Sequence, residues 1–345
     1  MAVDFLSMSS EERAQFVKAL GQPQFRVKQI EEWLFNRAVL DYSEMTNLPL
    51  TLRQQLVDTG VPLVASSLRA QHSSPTAVKF ALELSDSQLV EAVVMFYHHG
   101  VSLCVSSQVG CKMGCGFCTS GQGGFKRNLT SYEMTAQLLF ANNLLRGRDQ
   151  KVTHVVMMGM GEPLDNYDET VTFLRAVISP QIGISPRRIT VSTCGLVPQM
   201  ERLALEGLPV TISVSLHAPN DAIREQLMPV SKRYAYNQIL EAMHLYQQQT
   251  GRRATIEYTL IKGVNDSEKH AVELASKIKG SGFHVNLIPV NPMDGGTWER
   301  PTLQRIRRFQ AVLVAADINA TIRREIGAEI SGSCGQLRRS LADKR

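Results

Sequence analysis

Cys111-Lys112-Met113-Gly114-Cys115-Gly116-Phe117-Cys118 places three thiols within eight residues. Cubane iron–sulfur clusters are normally held by four Cys thiolates. A local set of three leaves one iron open to a reacting molecule. A structural zinc would usually have a fourth Cys or His at knuckle spacing, typically as paired C-x2-C units. Only one C-x2-C occurs here, and Gly110, Gly114 and Gly116 suit a loop wrapped tightly around a cluster. The spacing favours an iron–sulfur cluster over zinc.

Outward from the cysteine loop the pattern is of two kinds. Downstream, strands and helices alternate. A helix is expected from Thr130-Ser131 to Leu145, with Glu133 completing a capping box on Thr130. Strands follow at Val152–Met158, Arg188–Thr193, Val210–Leu216, Thr255–Ile261, His284–Pro289 and Ala320–Arg323. Helices are expected at Asp168–Val177, Pro198–Leu205, Ile239–Tyr246, Asp266–Ile278 and Thr302–Ala315. Six such units imply a parallel sheet with right-handed crossovers. An α/β fold built on a partial (βα)6 parallel barrel is expected, with its reacting groups at the C-terminal strand ends. Upstream, Ala77–Leu84, Leu89–Tyr97 and Val101–Val105 read as antiparallel strands broken at Ser85-Asp86 and His98-His99-Gly100. The first sixty residues read as helical, with apolar Phe16, Val17 and Leu20, then Ile30, Trp33 and Leu34, then Leu52 to Val57.

The chain has 345 residues with 43% hydrophobic and 20% charged content, ordinary for a soluble globular protein and unlike a disordered chain. No apolar run is long enough to span a bilayer, and the N-terminus lacks a basic segment leading into an apolar one. Six cysteines in this length do not make a disulfide framework; their clustering favours metal or redox chemistry in a reducing compartment, and a cytoplasmic location is expected. The net charge of +5 is compatible with an RNA partner without requiring one.

The C-x3-C-x-F-C loop resembles the signature of the radical S-adenosylmethionine (SAM) enzymes, and Gly159-Met160-Gly161-Glu162-Pro163 resembles their SAM-binding motif. Longer phrases narrow the resemblance to the RlmN/Cfr family of RNA adenine methyltransferases. They are Cys104-Val-Ser-Ser-Gln-Val-Gly-Cys111, Met158-Gly-Met-Gly-Glu-Pro-Leu164, Ser215-Leu-His-Ala-Pro-Asn220, Val285-Asn-Leu-Ile-Pro289 and Cys334-Gly-Gln-Leu337. Phe25-Arg26 through Lys28-Gln29-Ile30, and Glu44-Met45-Thr46-Asn47-Leu48, match the family's helical N-terminal region, so the likeness runs nearly the full length.

The resemblance implies a [4Fe-4S] cluster, one per chain, on Cys111, Cys115 and Cys118, with Phe117 near the SAM adenine. It implies SAM contacts from Gly161, Glu162, Ser192, Ser215, Leu216, His217 and Asn291. Backbone groups and the Glu162 carboxylate would accept the SAM ammonium. Cys334 would take a methyl group from a first SAM, and a second SAM would be cleaved by one electron to start radical transfer of that carbon to an adenine ring. Glu91 would remove the ring proton. Cys104 would attack the Cys334 sulfur, releasing methylated RNA and leaving a transient disulfide. Read by themselves, Cys104 and Cys334 could equally be buried small hydrophobes, Glu91 an exposed strand charge, His217 a structural histidine, and Cys194 a packing residue.

Residues 1–60 are expected to form an RNA-binding accessory domain, 61–100 a β-strand connection, 101–337 the radical SAM core and 338–345 a basic tail. The expected partners are rRNA, with tRNA as a second RNA, and an electron donor such as flavodoxin; the protein is expected to be a monomer. C2 of adenine is expected over C8. Two stretches depart from the family: Gly327-Ala328-Glu329-Ile330-Ser331-Gly332-Ser333 replaces a more acidic phrase before Cys334, and Tyr97-His98-His99-Gly100 replaces a usually acidic turn. Both bear on the RNA target rather than on the cluster. A family member with a different substrate is the rival reading.

Overall fold

Ten strands form a single sheet in which neighbours in sequence are mostly neighbours in space. The computed structural model describes residues 3–291 and 297–323. Cys334 and the 338–345 tail lie outside the described residues, as does the phrase before Cys334.

The N-terminal helices are α1 (Ser10–Ala19), α2 (Phe25–Glu31) and α3 (Leu50–Asp58), with a π-helical turn at Glu32–Asn36 continuing α2. Ser9 and Glu12 close a capping box on α1. The helices bury Val17, Ile30, Leu34, Leu52 and Leu56 against one another. Next come β1 (Ser67–Ser73), β2 (Ala77–Glu83), β3 (Leu89–Tyr97) and β4 (Gly100–Cys104), antiparallel in succession. β4 is the pivot. It is antiparallel to β3 and parallel to β7 (Val152–Met157), so it starts the parallel sheet as well as ending the antiparallel one.

A small hairpin, β5 (Gln108–Val109) with β6 (Arg127–Asn128), brackets the cysteine loop. From there α4 (Ser131–Leu145) leads to β7, and α5 (Tyr167–Ile178) to β8 (Ile189–Thr193). α6 (Val197–Ala204) leads to β9 (Thr211–Ser215), and α7 (Asp221–Leu227) with α8 (Tyr236–Thr250) to β10 (Thr255–Leu260). α9 (Glu268–Ile278) leads to β11 (His284–Pro289), and α10 (Leu303–Ala315) to β12 (Asn319–Ile322). The order β4-β7-β8-β9-β10-β11-β12 is parallel throughout, and the linear order leaves the barrel incomplete.

Alternation along the strands sorts the two faces. Val155, Met157, Val191, Ile212, Val214, Ile256, Val285 and Leu287 are buried toward the helices. The opposite, concave face is polar: Ser192 pairs with Ser213, Ser215 with Glu257, and Glu257 with Asn286. A parallel sheet buried on both sides usually reads as a continuous apolar run. Here the polar residues of the concave face line a site instead of a packed core.

Candidate active site

The cysteine loop is held from both ends of the sheet's upper rim. The segment before it, residues 105–108, runs beside the turn after β7. Ser107 and Gln108 N–H groups both donate to the Met160 carbonyl, at 2.9 and 3.2 Å. The Gln108 side chain accepts from the Glu162 N–H at 2.9 Å and donates to Asn128 and Asp165. Lys112 within the loop ion-pairs with Asp165 at 2.9 Å. A Cβ on Gly159 would lie 2.6 Å from Ser106 Oγ. On Gly161, whose φ is +100°, it would lie 2.5 Å from Gln108 Cβ. Both glycines of the Gly-Met-Gly-Glu-Pro turn are therefore needed for the loop to approach.

On the far side, the Gly116 N–H donates to the Leu227 carbonyl at 3.0 Å and the Trp298 indole N–H donates to the Gly116 carbonyl at 2.9 Å. The three thiols between these anchors sense one another. Burial pushes the Cys111 thiol up to about 11, and charge on Cys118 pushes it the same way. Cys115 is raised by burial first and then by Cys118 and Cys111. Such a set resists deprotonation until a cationic centre sits among the sulfurs, which is what irons supply. Among the described residues no three His, Cys, Asp or Glu side chains converge on a point fit for one metal ion. In a cubane each thiolate takes a different iron, so its ligands need not converge. The donor set fits a cluster better than a single zinc.

Phe117 and His217 meet beside the cysteines, ring centroids 4.8 Å apart. His217 has φ 55°, and the Leu216 and His217 N–H groups both donate to the Glu257 carbonyl. Its Nδ1 accepts from the Thr259 N–H at 2.9 Å, so the ring proton is on Nε2. Burial and then the Arg224 charge lower its pKa to about 3. It is a neutral donor, not a base.

Glu162 is buried, and its carboxylate accepts N–H bonds from Leu164 at 3.1 Å and Cys194 at 2.7 Å. Burial raises its pKa against these bonds. The carboxylate thus staples β7 to β8, and only its remaining lone pairs are available to a ligand. Ser192 and Ser215 stand half-buried at the tips of β8 and β9, Leu216 is buried, and Asn291 is exposed beyond β11. Cys194 is packed in the core, with burial and then negative charge on Glu162 keeping its thiol protonated.

Cys104 ends β4 opposite Val93, and Glu91 lies two residues along the same face of β3. Lys79 of β2 also lies opposite Val93, and its ammonium is 3.4 Å from the Glu91 carboxylate, both groups buried. Glu91 is therefore not an exposed strand charge. The Ser106 hydroxyl donates to the Glu91 carbonyl at 2.6 Å, tying β3 to the segment entering the cysteine loop. Tyr97, on the same face, is raised by burial, lowered by Arg323 and raised by Cys104. Arg323, the residue after β12, is thus near enough to Tyr97 of β3 for its charge to act there.

Three residues stand in this site without having been singled out in the sequence. Arg224 is one basic residue among 37 and gave no motif. Glu257 accepts from Ser213 and Asn286 in the concave face, in a strand that reads as apolar. Lys79 is hidden inside a run of Val, Phe and Leu, where a charge between apolar neighbours was the available signal.

A family model described as "Radical SAM superfamily" matches residues 105–275, and one described as "Ribosomal RNA large subunit methyltransferase N-terminal domain" matches residues 3–60. The chain is 45% identical to the "Probable dual-specificity RNA methyltransferase RlmN" of Carboxydothermus hydrogenoformans, over 97% of each chain. It is also 45% identical to the protein of the same name from Lachnoclostridium phytofermentans, over 99% of this chain and 96% of the relative. The crystal structure of a radical SAM methyltransferase from Sphaerobacter thermophilus superposes with a TM-score of 0.90 at 42% identity, covering 97% of this chain and 98% of that one.

Proposed function

Because the chain belongs to the RlmN family of radical SAM RNA methyltransferases, we propose that it methylates C2 of an adenine in rRNA, and in tRNA, through Cys334 and Cys104. The observation that carries this reading is the shared concave face. Cys104 and Glu91 lie on it beside the cysteine loop, and Ser192 and Ser215 lie on it at the strand tips.

Cys111, Cys115 and Cys118 would hold a [4Fe-4S] cluster, which would supply the one-electron reduction of a SAM sulfonium needed for radical chemistry at an otherwise unreactive C–H bond. The chain's own residues do the rest. Phe117 offers its ring to an adenine, and His217 offers the Nε2–H donor. Gly161 and its neighbours, with Ser192, Ser215, Leu216 and Asn291, border the space for the SAM amino acid and ribose. Cys334 carries the methyl carbon as a thioether, taken from a first SAM, and a second SAM is consumed in activating it. Glu91 accepts the proton that leaves the adenine carbon, with Lys79 beside it to stabilise the carboxylate. The Cys104 thiolate then attacks the Cys334 sulfur; the S–C electron pair leaves with the carbon, which takes up a proton to become the methyl group, the methylated base departs and a disulfide remains. An external donor such as flavodoxin reduces that disulfide and supplies the cluster's electron.

Adenine in a stacked helix cannot reach a site recessed in a barrel, so the target is an unstacked nucleotide. Residues 1–60 offer Phe25 with Arg26 4.9 Å over its ring, and Trp33 with Arg37 4.3 Å over its ring. The exposed Phe25 ring suits base stacking, and Arg37, lying over the buried Trp33, suits phosphate contact. Among the described residues no helix is long and apolar enough to cross a membrane, and we place the enzyme in the cytoplasm as a monomer.

The test is incubation of anaerobically reconstituted enzyme with SAM, a reductant and unmodified rRNA or tRNA, followed by mass spectrometry of the nucleosides. 2-Methyladenosine is expected. 8-Methyladenosine would overturn the assigned carbon, and no methylated adenosine in either RNA would overturn the substrate.

A further inference from the structure

Arg224 of α7 is fully buried, and every group it hydrogen-bonds is neutral; the Asp221 carboxylate one turn back acts on it only at longer range. Its Nη1 donates to Ser231 Oγ at 2.9 Å. Its Nη2 donates to the Cys194 carbonyl at 2.5 Å and the Ser215 carbonyl at 3.5 Å, and its Nε is buried without a partner. No carboxylate among the described residues forms an ion pair with it. Two carbonyls at strand tips and a hydroxyl orient a guanidinium; they do not neutralise it. A buried cation with no carboxylate in contact is strongly unfavourable.

The counter-charge belongs to the neighbouring loop. Leu227, one turn along α7, receives the Gly116 N–H between Cys115 and Cys118. The Arg224 guanidinium itself bonds the Cys194 and Ser215 carbonyls, so it sits between the ends of β8 and β9 and the helix that anchors the cysteine loop. A cubane on three thiolates is an anion, and it gains a further negative charge when reduced.

We infer that Arg224 is the fixed counter-cation of the cluster and sets its reduction potential. The inference rests on the cluster reading above and adds a positioning residue to it. A buried positive charge close to the cubane favours the reduced form more than the oxidised one, because the reduced form carries more negative charge. Arg224 touches no reacting atom in this account. It acts by making the electron easier to accept before SAM is split.

The experiment is an anaerobic redox titration of the full-length reconstituted protein, read by EPR of the reduced cluster, first without SAM and then with it. Arg224→Gln keeps a donor for the Cys194 carbonyl and removes the charge. It is expected to lower the midpoint by at least a tenfold change in the reduction equilibrium, which is 59 mV for one electron. Arg224→Lys keeps the charge and is expected to restore most of that shift. Ser231→Asp keeps the guanidinium and sets a carboxylate against Nη1. It is expected to shift the midpoint in the same direction, and it serves if the glutamine variant does not accumulate. A variant with full iron and sulfide content and an unmoved midpoint overturns the inference. So does a shift seen only with SAM, which would place the charge on SAM's carboxylate. Wild-type protein that takes up no iron and sulfide fells the cluster reading itself, and is told apart by that analysis.

Discussion

The Phe117 ring stands edge-on to the His217 imidazole, with centroids 4.8 Å apart and planes at 75°. One residue belongs to the cysteine loop and the other follows β9, so the contact locks the loop to the barrel rim. The geometry is a favourable edge-to-face pair, worth about 1 kcal/mol beyond area burial.

His217 makes stability sensitive to acid. Its pKa falls from 6.5 to about 3 on folding, first through burial and then through the Arg224 charge. Between those values the unfolded chain binds a proton that the folded chain does not. The stabilisation is present above pH 6.5 and is lost as pH falls toward 3, at about 1.4 kcal/mol per pH unit. Asn tolerates the positive φ and offers an oxygen near the Nδ1 position. Urea unfolding at pH 7 and pH 5 is expected to show a smaller acid loss for His217→Asn, by about 2 kcal/mol. Parallel losses in the two proteins would contradict the buried neutral imidazole.

Lys79 and Glu91 separate structure from chemistry in one pair. Lys79→Met leaves a buried carboxylate without its ammonium and should cost about 3 kcal/mol in chemical denaturation. Glu91→Gln retains a hydrogen-bonding group of the same shape but leaves the buried Lys79 ammonium without its carboxylate, so it should lose stability as well and is assayed well below its Tm. Its RNA methylation rate is expected to fall about 100-fold or more, the range for a lost general base, while SAM cleavage without RNA continues. A variant with lowered Tm and full methylation rate would make Glu91 a structural residue.

Trp298 closes the cysteine loop through its indole N–H and its ring against Gly116. Trp298→Ala opens that side to solvent and dioxygen. The brown charge-transfer absorbance of reconstituted protein should bleach several-fold faster in air than in the wild type. Trp298→Phe, which keeps most of the ring, should fall between. Identical bleaching rates in all three would show that the ring shields nothing.

Phe25 is 55% exposed with Arg26 over its ring, so an RNA base can reach it. Phe25→Ala and Arg37→Ala should each weaken RNA binding by about 1–2 kcal/mol, the range for one stacked base. Only the arginine variant should also flatten the salt dependence. Filter binding across a salt series reads both. Unchanged affinity in both variants would remove this face from the RNA path.

Much of the fold was legible because local signals agreed with the global one. β3 and β11 lie where alternation placed them, and α4 begins at the Thr130–Glu133 capping box. β1 was not legible, because an exposed edge strand of Ser, Arg, Gln and His carries no apolar alternation. β5 and β6 are two residues each and define themselves only by pairing. α7 is a single short helix whose buried face is Arg224 and Leu227, a pairing that no hydrophobic period reveals. The cysteine loop and the Gly-Glu-Pro turn were readable as motifs. The Lys79 ammonium, the Arg224 guanidinium and the concave Glu257 were not, since each matters only through distant neighbours that curvature brings close.

The central claim is that Cys104 releases RNA from a carbon carried by Cys334. Replacing Cys104 with Ala, expressing the protein and digesting it with nuclease and protease tests that claim by mass spectrometry of the Cys334 peptide. The account predicts a nucleotide fragment attached through one carbon to the Cys334 sulfur. A Cys334 peptide free of nucleotide, together with undiminished RNA methylation by the variant, would contradict it.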